Sequence, residues 1–158
     1  MRAIWFVVLA GCAAPKSGET LAESVRAYNE GVRWERFAVA ANHVPPPERS
    51  TFVETADERA DDLKITDYEV VKVDKRGDRE AKVQVKLSWY RESEGTLRET
   101  QSLQTWERHG KTWWMVDEAR VKGHAMPGLP EPLADGVAPS EAPKESATRG
   151  AGDSPTQE

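Results

Sequence analysis

From Ala81 to Tyr90 the chain reads Ala-Lys-Val-Gln-Val-Lys-Leu-Ser-Trp-Tyr, and the odd positions are apolar without exception. In a helix these side chains would scatter around the axis. In a strand Ala81, Val83, Val85, Leu87 and Trp89 share one face, and Lys82, Gln84, Lys86, Ser88 and Tyr90 share the other. The chain must therefore build a sheet with one buried face and one wet face, and something must cover the buried one.

The flanking sequence supplies neighbours. Leu63 to Val73 is rich in β-branched and aromatic residues. Lys75-Arg76-Gly77-Asp78 is a turn that joins it to the alternating strand. Ser93-Glu94-Gly95-Thr96 turns again, and Leu97 to Arg108 is a third strand, with Leu103 and Trp106 at opposite parities. His109-Gly110 leads into a fourth, Thr112 to Ala119. Turns this short force antiparallel neighbours, so the four strands form a meander.

Before Asp62 the apolar period is helical. Thr20-Leu21-Ala22-Glu23 is a capping-box pattern, and Leu21, Val25 and Tyr28 follow at helical spacing. Gly31 permits a break or bend. Trp34, Phe37, Ala38 and Ala41 continue the period as a second helical stretch, which Pro45-Pro46-Pro47 ends. Pro47 suits the first turn of a third helix, whose face is Phe52, Val53, Ala56 and Ala60. Helices first and strands afterward give an α+β domain, with the helices over the apolar face of a curved sheet.

Composition enters at the two ends. Residues 127–158 contain no aromatic residue and only Leu129, Leu133 and Val137 as large aliphatics, so this stretch is expected to be a disordered tail. Met1 to Cys12 reads as a secretory leader: Arg2, then an apolar run through Leu9, then small residues and a cysteine. Leu9-Ala10-Gly11-Cys12 resembles the lipobox of bacterial lipoproteins. That resemblance implies removal of residues 1–11 and lipidation of the Cys12 sulfur, with two or three acyl chains as a stable membrane anchor. Ala13 after the cysteine favours the outer membrane by the sorting rule of such proteins. The expected organisation is a leader at 1–11, a tether at 12–18, a folded domain at 19–126 and the tail from 127. Cys12 is the chain's single cysteine, which excludes an internal disulfide and a multi-cysteine zinc site. A formal net charge of −5 speaks against a nucleic-acid-binding surface.

The order of elements resembles the NTF2-like (SnoaL-like, cystatin-like) superfamily. Two segments carry the resemblance: the helical Tyr28-Asn29-Glu30-Gly31-Val32-Arg33-Trp34-Glu35-Arg36-Phe37-Ala38 before a proline break, and the closing Thr105-Trp106-Glu107-Arg108-His109-Gly110-Lys111-Thr112-Trp113-Trp114-Met115-Val116. It implies a cone of helices over a curved four-stranded sheet. It also implies a homodimer through the open sheet face. Enzymes of the superfamily hold a general base inside the cone, but silent binding domains share the fold, so fold does not supply function.

The residues themselves offer little chemistry. His43 ends the second helical stretch and reads first as a helix cap. His109 lies in a turn, His124 follows the last strand, and the three are not spaced as a metal site. Asp67, mid-strand beside Ile65 and Tyr68, is the carboxylate that burial could turn into a base, unless a bulge or the strand's wet face takes it. His43 and Asp67 are thus the catalytic candidates, and no cofactor is expected. Among the aromatics, Trp34, Trp89 and one of Trp113 and Trp114 are expected in the core, because adjacent strand residues face opposite ways. Trp106, the other member of that pair and Tyr90 are the candidate binding surface.

Three function classes remain, of which the third is a stress or maintenance protein whose anchoring matters more than its surface. The first is a lipid-anchored, non-catalytic binding or assembly module of the cell envelope, held in the outer membrane facing the periplasm, with an envelope protein as partner. It predicts an exposed aromatic patch and a filled cone. The second is a small-ligand carrier or SnoaL-type isomerase or dehydratase, which predicts an open apolar pocket with a carboxylate or histidine inside.

Overall fold

The computed structural model describes residues 18–131. Cys12, the leader at 1–11, most of the tether and the tail from 132 lie outside the described residues. Helix α1 spans Leu21–Arg33, α2 Phe37–Ala40 and α3 Arg49–Ala60, with single 3-10 turns at Ala41–His43 and Pro46–Glu48. Strands β1 (Leu63–Arg76), β2 (Glu80–Arg91), β3 (Arg98–His109) and β4 (Thr112–Gly123) follow. They form one antiparallel sheet in the order β1-β2-β3-β4. The helices lie across one face of it. The expected α+β cone of helices on a four-stranded meander is the architecture observed.

The capping box forms as its residues predict. The Thr20 Oγ1 accepts from the Glu23 amide at 3.3 Å, and the Glu23 Oε2 accepts from the Thr20 amide at 2.8 Å. Leu21, Val25 and Tyr28 are buried at helical spacing. Gly31 does not break α1. It lies inside the helix, and a Cβ there would stand 2.9 Å from the Ala40 nitrogen. The missing side chain lets α2 lie directly against α1. The turn between them comes later, at Glu35, which takes a left-handed backbone with φ 55°. The second helical stretch is consequently shorter than the apolar spacing suggests, and Trp34 caps α1 instead of continuing into α2.

Strand β2 obeys its alternation throughout: Ala81, Val83, Val85, Leu87 and Trp89 are all buried. They meet Tyr28, Leu21, Val25, Ala40 and Val44 from the helical layer and Trp106, Trp113 and Met115 from the next strands. β1 is an edge strand with two register shifts, between Ile65 and Asp67 and between Val70 and Lys72. β4 carries two, opposite the Thr105/Trp106 and Gln101/Ser102 steps. Each extra residue reverses which side chains face the helices beyond it.

The described chain continues past Met126 as a strap. The Arg120 amide donates to the Pro130 carbonyl at 2.7 Å, and the Arg120 guanidinium grips the Glu131 carboxylate through two hydrogen bonds. Arg59 Nη1 donates to the Gly128 carbonyl at 2.9 Å. The folded unit therefore reaches Glu131, five residues beyond the boundary drawn from composition. Two arginines hold backbone and side-chain oxygens there, contacts that hydropathy does not register.

Candidate functional site

Under the helices, toward the β2–β3 end of the sheet, the core is not filled. A cavity of about 90 Å³ lies between α1, α3, the sheet and the strap. Its lining is mainly apolar, with Val32, Phe37, Phe52, Leu63, Ile65 and Leu87 among the walls and Met126 and Leu129 of the strap across the mouth. A water needs about 10–15 Å³ of such space. The cavity therefore has room for a small organic molecule.

Five polar side chains are in its lining: Tyr28, Asn29 and Glu118, which bond to one another or to shared partners, and the charged Glu35 and Arg59. The positions of the first three follow from local structure. Tyr28 and Asn29 are on the buried stripe of α1. Glu118 faces inward because of the first β4 bulge. Trp113 and Met115 point to the core, so plain alternation would send Asp117 inward and Glu118 out; the register shift reverses this and sets Glu118 opposite Gln104.

The group is tightly bonded. Glu118 Oε1 accepts from Ser102 Oγ at 2.8 Å and from Gln104 Nε2 at 3.0 Å, while Oε2 accepts from the Tyr28 hydroxyl at 3.3 Å. Gln104 and Asn29 exchange amide hydrogen bonds, at 3.0 and 3.4 Å, and Trp106 Nε1 donates to Gln104 Oε1 at 3.2 Å. Burial, together with the negative Glu118 beside it, holds the Tyr28 hydroxyl well above its ordinary pKa, so it remains a donor. Among the described residues Glu118 is in no ion pair; its hydrogen-bond partners are all neutral. The arrangement is an acceptor carboxylate, fixed by donors, at the wall of an apolar cavity.

The candidates named from sequence lie elsewhere. Asp67 directly follows the first β1 bulge, with its side chain 66 % exposed and ion-paired with Arg33 at 3.2 Å. It is a surface residue, because the bulge sets it on the wet side. His43 is buried, but against Trp106 (ring centroids 6.4 Å apart) and 3.8 Å from a Glu19 oxygen, outside the cavity. Among the described residues its Nδ1 has no hydrogen-bond partner, so it caps no helix there.

The aromatic assignments need correcting in three places. Trp106 is fully buried, edge-on to Tyr28 at 5.8 Å, because β3 turns Thr100, Ser102, Gln104 and Trp106 toward the helices and Leu103 away. Trp113 is the core member of its pair. Trp114, on the other face, is half-buried and stacks on His109 at 4.2 Å, and Tyr90 is half-buried as well. The four residues therefore form no common exposed patch. Trp34, expected in the core, is 59 % exposed, with its Nε1 donating to Glu30 at 2.7 Å and the Arg33 guanidinium 5.0 Å from its ring. Glu118 escaped the sequence reading, and no local sequence signal marks a bulge that turns it inward. Among the described residues no cluster of histidine, cysteine and carboxylate side chains could hold a metal ion.

No known family profile and no curated protein matches the chain. Solved structures do. A SEC-C motif containing protein from Rhodopseudomonas palustris superposes with a TM-score of 0.55 at 12 % identity, over 63 % of this chain and 77 % of its own. A ketosteroid isomerase-like protein from Erwinia carotovora atroseptica superposes with a TM-score of 0.55 at 11 % identity, over 69 % of this chain and 99 % of its own. At such identities the likeness is one of fold, and the fold is NTF2-like.

Proposed function

We propose that this chain is a lipid-anchored bacterial envelope protein whose NTF2-like domain holds a small, largely apolar ligand inside the cone. One observation carries the binding part: a cavity with apolar walls, a few convergent polar groups and a carboxylate fixed at its side. That is the composition of ligand pockets in general. The absence of a shared exposed face for Trp106, Trp113, Trp114 and Tyr90 weakens the aromatic docking surface, and the open cavity favours the carrier reading. The anchor rests on the sequence Leu9-Ala10-Gly11-Cys12 and on Cys12 being the only cysteine.

Proton-transfer chemistry is the second reading, and the name of the Erwinia neighbour is compatible with it. It would need the open lone pair of Glu118 Oε2 to take a proton from a substrate carbon. Three hydrogen-bond donors stabilise the carboxylate and weaken it as a base, and that favours binding.

Native mass spectrometry of the full chain, purified from its own host in mild detergent, tests both parts. The expected spectrum shows loss of residues 1–11, acyl mass on Cys12 and a small non-covalent adduct that leaves on activation. A chain retaining residues 1–11 without acyl mass overturns the anchor. An adduct-free domain that also fails to take up small apolar probes in solution overturns the ligand site.

A further inference from the structure

We infer that the cone is built for a small organic cation, a protonated amine on a short hydrocarbon, with its ammonium on Glu118. This rests on the cavity being a ligand site. The argument is one of unmatched charge. A carboxylate at an apolar wall loses much of its hydration, and proteins answer this with a cation or with hydrogen bonds. Among the described residues Glu118 receives only neutral donors: Ser102, Gln104 and Tyr28.

The cation nearest in the lining, Arg59, is committed elsewhere, with Nη1 on the Gly128 carbonyl. Arg120, two residues away along β4, grips Glu131. The other acid at the cavity, Glu35, is exposed and paired with Lys64 at 2.8 Å. With Arg59 counted against Glu35 and Glu118, the charged side chains of the lining still leave a net negative charge.

Acceptor capacity remains for a ligand. Each carboxylate oxygen accepts two hydrogen bonds. Oε1 has two short donors, whereas Oε2 has a single long one, the Tyr28 hydroxyl at 3.3 Å. An ammonium brought to Oε2 would sit beside the rings of Tyr28 and Phe52, whose centroids are 5.9 Å apart and whose faces attract cations. An anion would meet Glu118 directly. A neutral molecule would fill the same walls but leave the charge unanswered.

Matched probes of one shape test this. Isobutylamine and isobutanol are titrated into the full chain at neutral pH, with two-dimensional NMR reporting the cavity residues. The amine is expected to bind at least tenfold more tightly, and Glu118→Gln is expected to abolish that preference while isobutanol binding stays within a few-fold. Tyr28→Phe, which keeps the ring and frees Oε2, should hold or raise the preference; it guards against the case in which Glu118→Gln disturbs the fold. Equal binding of the two probes to the wild-type chain overturns the cation and leaves the ligand site standing. Binding of neither removes the site itself.

A different observation carries a second proposal. The geometry points to the strap, Met126 to Glu131, as a latch over the cavity. Met126, Pro127, Gly128 and Leu129 line it, while Gly128, Leu129 and Pro130 also line a groove on the strap's other side. Cavity and groove share Tyr28, Phe52, Arg59 and Glu118. The strap is the partition between them. Two arginines close it, and Gly128 fits there at φ 76° with the Arg59 side chain lying where a Cβ would be.

Releasing the latch joins the two spaces and admits a larger guest. Arg120→Ala in the full chain should bind the neutral dye Nile red several-fold more tightly than the wild type, with faster amide exchange at residues 128–131. Gly128→Ala should move both readouts the same way. Unchanged dye affinity in both variants, with the strap exchanging faster, would show that the strap gates nothing.

Discussion

The two ends of the cone are built to different rules. At the hairpin end, where β1 turns into β2 and β3 into β4, the space under the helices is filled. Trp106, Trp113, Val83 and Ala81 meet Leu21, Val25 and Val44 there. At the other end Leu63, Ile65 and Leu87 face a cavity, and a strap of irregular chain closes what side chains do not. The difference teaches where stability and recognition reside. A filled layer holds the helices on the sheet, and that leaves the opposite end free to be hollow.

Substitutions can break this contrast. Trp106→Ala should have the largest effect, about 3–5 kcal/mol by chemical denaturation, because it empties the fully buried centre and leaves the Gln104 oxygen with only the longer of its two donors, Asn29. Gly31→Ala should cost about 1–3 kcal/mol, since the new methyl meets the α2 backbone at 2.9 Å. Met126→Ala at the hollow end should cost only about 1 kcal/mol or less, because the side chain is half-buried beside space that already exists. A loss equal to that of Trp106→Ala would mean that both ends carry the fold alike. Asp67→Ala should cost less than about 1 kcal/mol, as exposed ion pairs do.

Acid sharpens the same contrast. Beside Leu63 of the cavity wall, Asp62 ties the start of β1 to the β2–β3 turn by accepting from the Ser93 amide at 2.8 Å, the Ser93 hydroxyl at 2.9 Å and Arg91 Nε at 2.7 Å. The Ser93 amide above all, then its hydroxyl and Arg91, hold the Asp62 carboxyl below its ordinary pKa. A group lowered in the folded state adds stability above its unfolded value and loses it as pH falls through the folded one. Stability from this contact should thus be complete above about pH 4 and fade below it. Asp62→Asn should flatten that acid limb in melts taken across pH, and an unchanged slope would remove Asp62 from the account.

Much of the filled end is legible in the sequence. The β2 alternation names five core residues, and the capping box and the Leu21, Val25, Tyr28 spacing place α1. The hollow end is less so, for two physical reasons. A bulge is decided by pairing with a neighbour strand, so the strand's own letters do not announce it. Counting forward from Trp113 and Met115 points Glu118 to solvent, and the first β4 register shift points it into the cone. The inner face of β3 is also polar, with Thr100, Ser102 and Gln104 buried beside Trp106. Hydropathy takes Leu103 for the inward side, whereas hydrogen bonding between layers selects the other.

The β1 edge has a consequence for crowded surroundings. Its outer rim offers unpaired backbone and the exposed Val70, Val71 and Val73, which invite another copy to add a strand. The two bulges spoil that template. A straight strand zipping along β1 would fall out of step by one residue past Ile65 and again past Val70. Lys72 and Lys75 would repel the same lysines on a copy aligned in parallel. Many such domains packed side by side could collide often and still separate, where a flat edge would seed a fibre.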